Sequence, residues 1–571
     1  MGAASCRPCC RDDNERLVET ISKPTLPPTP SGTTEHFPTY ALPMSIFLQL
    51  SCMQTHESIF SQLVRPSAVK MGYEDLIHLI SHEWLSFRHP DPDGVQLRLM
   101  QVIFGKFIAG EAEKLFKEEE WEAFLHGHST GVAPRSLRTI ESTMIDRCEL
   151  QGSQLPDVVK LGCVWLDYHS IPQEAKEETF AQAVATIPHY VERCNLFWVC
   201  TPRTLHKELQ EPRNFYTWRN RGWCRLEESM NLLSRYLKMP LVVTTENNIT
   251  TTGIFDSFTY FLGHPERAIG QGNFTCCRFN HKITGPDGTI QEIPCDKLAL
   301  APVLLDRVKS FYHNRRGQAE GMKQTVMRVI SEDFFSGMPP EFQWTPPEFK
   351  SAEDYIAAYL PEVEMLGMTE AFLLAFEAPF ACLKEFATKY PEKMLELTQY
   401  NQTTLQGAVH RSPAEFKQLL DILPEEKRVE TINTLSCSGI TPLDRAARLG
   451  FDANLRMLLE ARADLEPRRA ADKGTPLLSA ANEGYPKCCE ILLEFRADVH
   501  AVNHKNQTAL HLAAEPIETV GNCDLNARVD VLTILLAARA DPSRVDDRGH
   551  TALDIAQHGG FVEALQALQA S

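Results

Sequence analysis

The chain has 571 residues, 43% of them hydrophobic and 23% charged, which is enough for about three or four domains that each bury a core. A formal net charge of −18 provides no basic footprint for nucleic acid and argues against binding acidic lipid by charge alone. Seventeen cysteines without an apolar secretory segment read as reduced thiols packed as small hydrophobes, and no pair of Cys-x-x-Cys units with His partners is present, so no metal site is expected.

Residues 1–40 read as a disordered tail. Met1-Gly2-Ala3-Ala4-Ser5-Cys6 approximates an N-myristoylation signal, with Cys6 where Ser or Thr is usual and Cys9 and Cys10 close by. One myristoyl chain holds a membrane only reversibly. The expectation is therefore dual acylation, with myristate on Gly2 and palmitate on Cys6, Cys9 or Cys10; the alternative is a plain cysteine-bearing tail. Pro24, Pro27, Pro28 and Pro30 make a PPII-like linker. The apolar run from Ala41 to Met53 is interrupted by Pro43, Ser45, Gln49 and Ser51 and is too short to span a bilayer. The expected location is cytoplasmic, with any membrane anchoring through acyl chains on the cytosolic face.

Residues 41–338 alternate short apolar strands with helical segments. Leu76–Ile80, Cys163–Leu166, Leu196–Cys200 and Leu241–Val243 read as strands buried on both faces, and Val95–Ile108 has helical spacing. This order predicts an open α/β sheet whose ligand crevice lies beyond the C-terminal strand ends. The polar residues at those ends are Ser81, His82 and Glu83, then Asp167, then Thr201 and Arg203.

Ser81-His82-Glu83-Trp84 after the first strand, Trp165-Leu166-Asp167 at the second, Val191-Glu192-Arg193-Cys194 before the third, and Arg221-Gly222-Trp223-Cys224-Arg225-Leu226-Glu227 opening a later helix are similar to the TIR domain. The related heterokaryon-incompatibility domain shares the pattern of Trp165, Asp167, Ile171 and Gln173. The resemblance spans about Tyr73 to Thr245; it lacks the usual BB-loop glycine and carries an insertion at Glu111–Leu150. Some TIR domains cleave NAD at the nicotinamide–ribose bond and others are only adaptors. The resemblance implies that Glu227 is the catalytic carboxylate, stabilising an oxocarbenium-like state. Ser81, Trp84, Asp167, Arg203 and Trp223 would line the substrate pocket, with NAD as substrate and no cofactor. Two plainer readings stay open: Glu227 as a solvated carboxylate paired with Arg221 or Arg225, and Trp223 as a core residue. His82 reads as a structural hydrogen-bonder.

Beyond the fourth strand, Asn273–Cys295 with its Gly285-Pro-Asp-Gly288 turn reads as a β-hairpin, followed by helices at Asp296–Arg315 and Gln318–Phe335. Residues 339–400 combine a Pro-rich break with a helical stretch.

In residues 401–571 an internal period appears. Thr441-Pro442-Leu443 returns as Thr475-Pro476-Leu477, Thr508-Ala509-Leu510 and Thr551-Ala552-Leu553, in steps of 34, 33 and 43 residues. Arg462-Ala463-Asp464, Arg496-Ala497-Asp498 and Arg539-Ala540-Asp541 travel with it, and the extra ten residues read as one loop between Ala514 and Asn526. These signatures resemble the ankyrin family from about Thr404 to Ser571, with Thr404–Asn433 as a degenerate capping repeat. Arginine stands where that family usually has a left-handed glycine. The arginines are either tolerated strained caps or a surface for an acidic partner.

The implied fold is an α/β open parallel sheet, flavodoxin-like and TIR-like, with an appended hairpin and helices, followed by an all-α ankyrin solenoid. The implied function is intracellular signalling: the array holds a protein partner, and the front domain cleaves NAD or acts as a self-associating adaptor. A scaffold with a decayed front domain is the third reading.

Overall fold

The computed structural model describes residues 35–67, 75–126, 154–173, 177–234, 238–252, 260–284, 290–292, 295–313, 327–330, 333–345, 347–515, 524–558 and 561–569. Gly2, Cys6, Cys9, Cys10 and residues 516–523 of the repeat insertion lie outside them. The chain divides into two units, one drawn from 1–257, 265–318 and 334–344 and the other from 258–264, 319–333 and 345–571.

In the first unit, β1 (Leu42–Pro43), β2 (Ile77–His82), β3 (Cys163–Trp165), β4 (Leu196–Cys200), β5 (Pro240–Thr245) and β6 (Asn248–Thr251) form one sheet in the order β1-β3-β2-β4-β5-β6. The four central strands are parallel; β1 and β6 pair antiparallel at the edges. The sheet is therefore mixed where a purely parallel one was expected. Only Glu246 and Asn247 join β5 to β6, which is too short for a crossover and long enough for a hairpin. Every residue of β2 and β4 is buried, which is why these strands read as apolar runs. β2 continues past Ile80 because Ser81 and His82 still pair with Val199 and Cys200.

Helix α1 (Val95–Ile108) buries Leu97, Met100, Ile103, Phe104 and Phe107 in one core with Trp198 and Leu241. Its first amides are satisfied by Asp91, which accepts from the N–H of Val95 at 2.7 Å and of Leu97 at 2.8 Å. Two buried ion pairs link helix α3 (Phe215–Asn220) to α4 (Gly222–Leu233) and helix α5 (Asp296–His313) to α2 (Ile187–Arg193). Arg219 of α3 pairs with Glu228 of α4 at 2.6 Å, and Arg307 of α5 with Glu192 of α2 at 2.5 Å. The expected hairpin is present as β7 (Lys282–Thr284) against β8 (Ile290–Glu292).

In the second unit, helix pairs stack in series: Glu370–Glu377 with Phe380–Lys389, Thr404–Ala408 with Pro413–Ile422, Pro442–Leu449 with Asp452–Glu460, Pro476–Glu483 with Pro486–Glu494, Ala509–Ala514 with Leu525–Ala537, and Ala552–His558 with Val562–Gln569. The hydroxyls of Thr369, Thr403, Thr441, Thr475 and Thr551 each accept the backbone N–H three residues on, a cap worth about 1 kcal/mol. Gly450 and Gly484 end their helices with φ of 82° and 73°. Arg462, Arg496 and Arg539 hold φ of 71°, 72° and 65° with exposed side chains. One apolar core runs from Ala352 to Leu568, so the helices of 352–389 share the core of the repeats. The pair 370–389 is a further repeat-like unit, since Thr369 precedes Thr403 by the 34 residues that separate Thr441 from Thr475. Within each leucine pair the first, Leu458, Leu492 or Leu535, is fully buried, while Leu493 and Leu536 are half-buried.

Candidate functional site

Counting only the parallel strands, the order β3-β2-β4-β5 puts β2 between connections that wind in opposite directions, the switch point beyond whose strand ends open α/β sheets bind their ligands. The end of β2 carries Ser81 and His82 to that point, both buried. Asp167 follows β3, and α4 brings Glu227 alongside.

Ser81 Oγ donates to Glu227 Oε2. The indole N–H of Trp218 donates to Ser81 Oγ at 2.9 Å, which leaves the serine proton for the carboxyl. Trp218 is held in turn: the neighbouring Thr217 donates to Glu83 Oε2 at 2.7 Å and closes a capping box with Asn214. A hydrogen-bonded chain thus runs from Glu83 through α3 and Ser81 to Glu227. Alongside it, His82 donates to Gln96 Oε1 at 2.9 Å and to Asp167 Oδ1 at 2.8 Å. Trp84 donates to the other Asp167 oxygen at 3.3 Å and stands edge-on to Tyr168. The two carboxyl groups keep contact with solvent, Asp167 with 36% of its side chain exposed and Glu227 half-buried.

The charges follow from these contacts. Burial opposes a charge on His82, but the Asp167 carboxylate and the bonds to Asp167 and Gln96 outweigh it and push the ring up to about 9. Burial also acts against an ionised Asp167, yet His82 and Trp84 hold it below the usual aspartate range. At neutral pH this pair is an imidazolium and a carboxylate. Glu227 is pushed up to about 8 by burial and by the Asp167 charge, against the Ser81 bond and His82. Two neighbouring carboxyl groups are thereby driven to opposite protonation states, an arrangement typical of sites that handle charge.

The Trp-Cys-x-x-Glu segment sends its three side chains to three partners. The Cys224 thiol donates to the carbonyl of His82 at 3.5 Å, Glu227 meets Ser81, and Trp223 donates to Asp296 Oδ2 at 3.0 Å. The indole bonded to Ser81 belongs to Trp218, which the sequence reading passed over; the Asn214-x-x-Thr217 cap was its only local signal. Arg203 is exposed just past β4, and the bonds of the cluster are made without it. Arg225 donates to backbone carbonyls of Arg219, Glu266 and Ala268 and to Asn220, and Arg221 to Thr275. The buried, arginine-paired carboxylate of α4 is Glu228, one position on from Glu227. Gln173 donates to the carbonyls of Ile171 and Asp167 and closes the turn after β3.

No Cys-x-x-Cys pair marks a metal site in the sequence, yet Cys276, Cys277, His281 and Cys295 come together with their ligand atoms all within 4.8 Å of one another. The signal was weak in sequence because a hairpin separates Cys295 from the rest.

The stacked helix pairs define a repeat solenoid that exposes a continuous surface suited to binding protein. Residues 477–515 match the family model of ankyrin repeats (many copies), so the C-terminal part of the chain carries ankyrin repeats and the protein-interaction role that goes with them. No curated protein matches the chain. Among the described residues, no helix is long and apolar enough to cross a membrane.

Proposed function

We propose that the α/β unit is a TIR-like, flavodoxin-like domain that cleaves NAD to nicotinamide and an ADP-ribose product, and that a protein bound on the ankyrin array controls it. The observation that carries this reading is the Glu227 carboxyl beside the C-terminal end of β2, bonded to Ser81 rather than to the arginines beside it in sequence. In the reaction the bond between ribose C1′ and the nicotinamide nitrogen breaks, and its electron pair goes to the nitrogen. Nicotinamide leaves neutral and needs no acid. The sugar becomes an oxocarbenium ion; water adds at C1′ and gives up a proton. The useful form of Glu227 is therefore the carboxylate, which stabilises the cationic sugar. In the free protein Glu227 is mostly protonated at neutral pH, and the positive nicotinamide ring of an incoming substrate favours its ionisation.

The test is nicotinamide release from NAD by the full chain, including under crowding that promotes self-association. Glu227→Gln keeps size and hydrogen bonding and is expected to lose at least ~100-fold in rate, as for other single electrostatic stabilisers. kcat/KM should rise with pH through about 8, where Glu227 ionises in the free protein. Equal release by both proteins refutes the catalytic role. If neither releases nicotinamide, the non-catalytic adaptor reading replaces this one.

A further inference from the structure

We propose that Cys276, Cys277, His281 and Cys295 bind one zinc ion as a structural site that fixes the start of α4. The distances among the four ligand atoms fit such an ion. Cys277 Sγ lies 3.8 Å from Cys276 Sγ, 3.8 Å from Cys295 Sγ and 3.7 Å from His281 Nε2. A tetrahedral zinc with arms of about 2.3 Å to sulfur and about 2.0 Å to nitrogen has S···S edges of about 3.8 Å and S···N edges of about 3.5 Å. Disulfide bonding would bring two sulfurs to about 2 Å. Three thiolates and one imidazole fill all four positions, which makes the site structural and leaves no place for a reacting water.

The backbone is bent to build this cluster. Cys276 and Cys277 sit on the single turn Thr275–Arg278. Asn280 and His281 then take φ of 50° and 59°, two successive non-glycine residues in the left-handed region, each costing roughly 1 kcal/mol. That bend lets the His281 N–H donate to the Cys276 carbonyl at 2.7 Å and turns the chain back on itself. Cys295 returns at the start of α5, and the Asp296 N–H donates to Cys276 Sγ at 3.3 Å. The N-terminal end of an 18-residue helix thus faces a ligand sulfur and supplies the outer hydrogen bond that metal ligands usually have. Between His281 and Cys295 lies the β7–β8 hairpin, with three residues per strand and Ile290 69% exposed. So small a hairpin has little core and needs a clamp at its base.

The clamp reaches α4 on two sides. Phe274 lies so close to Gly222 that a Cβ there would stand 1.9 Å from its ring, and Asp296 accepts from Trp223. The segments on either side of the ligands therefore press on the first turn of the helix that carries Glu227. Metal binding ionises the three thiols and orders both segments together.

The experiment measures zinc in the purified full chain after dialysis. About one ion per chain is expected, falling below about a tenth of that in Cys277→Ser and Cys295→Ser, because each loses a first-sphere ligand. Cys52→Ser, an exposed thiol elsewhere, should keep full content. Because the ligand variants risk misfolding, two further measurements accompany them. Cobalt replacing zinc in the wild-type chain should give thiolate-to-cobalt charge-transfer bands, and His281→Cys should retain the metal with a four-sulfur spectrum. A wild-type chain that binds no zinc or cobalt overturns the proposal. So does zinc that survives Cys277→Ser unchanged, or a Cys277–Cys295 disulfide found in the native protein by mass spectrometry. None of these readouts depends on NAD cleavage.

Discussion

Replacing Glu227 by Gln should stabilise the α/β unit at alkaline pH. Glu227 is pushed from the usual 4.5 up to about 8. Between those two values the folded state holds a proton that the unfolded chain has released, so stability falls as pH rises. The slope is about 1.4 kcal/mol per pH unit for one proton, and over this window the loss amounts to roughly 3–5 kcal/mol. Glutamine can still accept the Ser81 hydrogen bond and never ionises. The variant should match wild type near pH 4.5 and exceed it progressively up to pH 8, by roughly 4–8 °C in Tm at the size of this unit. His82, raised to about 9, contributes stability that is complete below its usual 6.5 and lost as pH rises through 9. It titrates in both proteins, and the Glu227 charge is the smallest of the causes that raise it, so most of the difference between them comes from Glu227 itself. All seven tryptophans fall within the first unit, so indole fluorescence during thermal unfolding reports this unit and leaves the repeats silent. A difference between variant and wild type that stays constant from pH 5 to pH 8 would refute the reasoning.

In the repeat array, Leu458→Asp or Leu492→Asp puts a carboxylate at a fully buried position and should cost several kcal/mol, unfolding neighbouring repeats in far-ultraviolet circular dichroism. Leu493→Asp, at a half-buried position, should cost clearly less; equal effects at 492 and 493 would contradict the packing. Arg462→Gly, Arg496→Gly and Arg539→Gly relieve left-handed strain and should each stabilise the array by up to ~1 kcal/mol in urea titrations, whereas strained caps that matter little would show no change. At the N-terminus, Gly2→Ala should release the protein from membranes in cell fractionation, and an unmodified N-terminal peptide in mass spectra of the native protein would rule the acylation out.

The sequence by itself determined what depends on local pattern. Strand runs such as Leu196–Cys200 and the helix Val95–Ile108 were legible because burial on two faces or one stripe writes itself into hydrophobic spacing. The repeats were legible because each unit repeats the same Thr cap and leucine positions, although the pair after Thr369 escaped notice where the motif beyond the cap had drifted. Left-handed φ at Arg462, Arg496 and Arg539 followed from a family position that normally holds glycine. Only the tertiary structure decided which side chains meet. Ser81 and Glu227 are 146 positions apart, His82 and Asp167 85 apart, and Ser81 and Trp218 137 apart. Sequence spacing carries no information on contacts made by strand order and helix docking. The opposite protonation states of Asp167 and Glu227 arise from those contacts, since a pKa is set by burial and neighbouring charge and not by residue type. The gathering of Cys295 with Cys276, Cys277 and His281 was hidden for the same reason: a hairpin and a left-handed bend, rather than a short fixed spacing, bring the four side chains to one point.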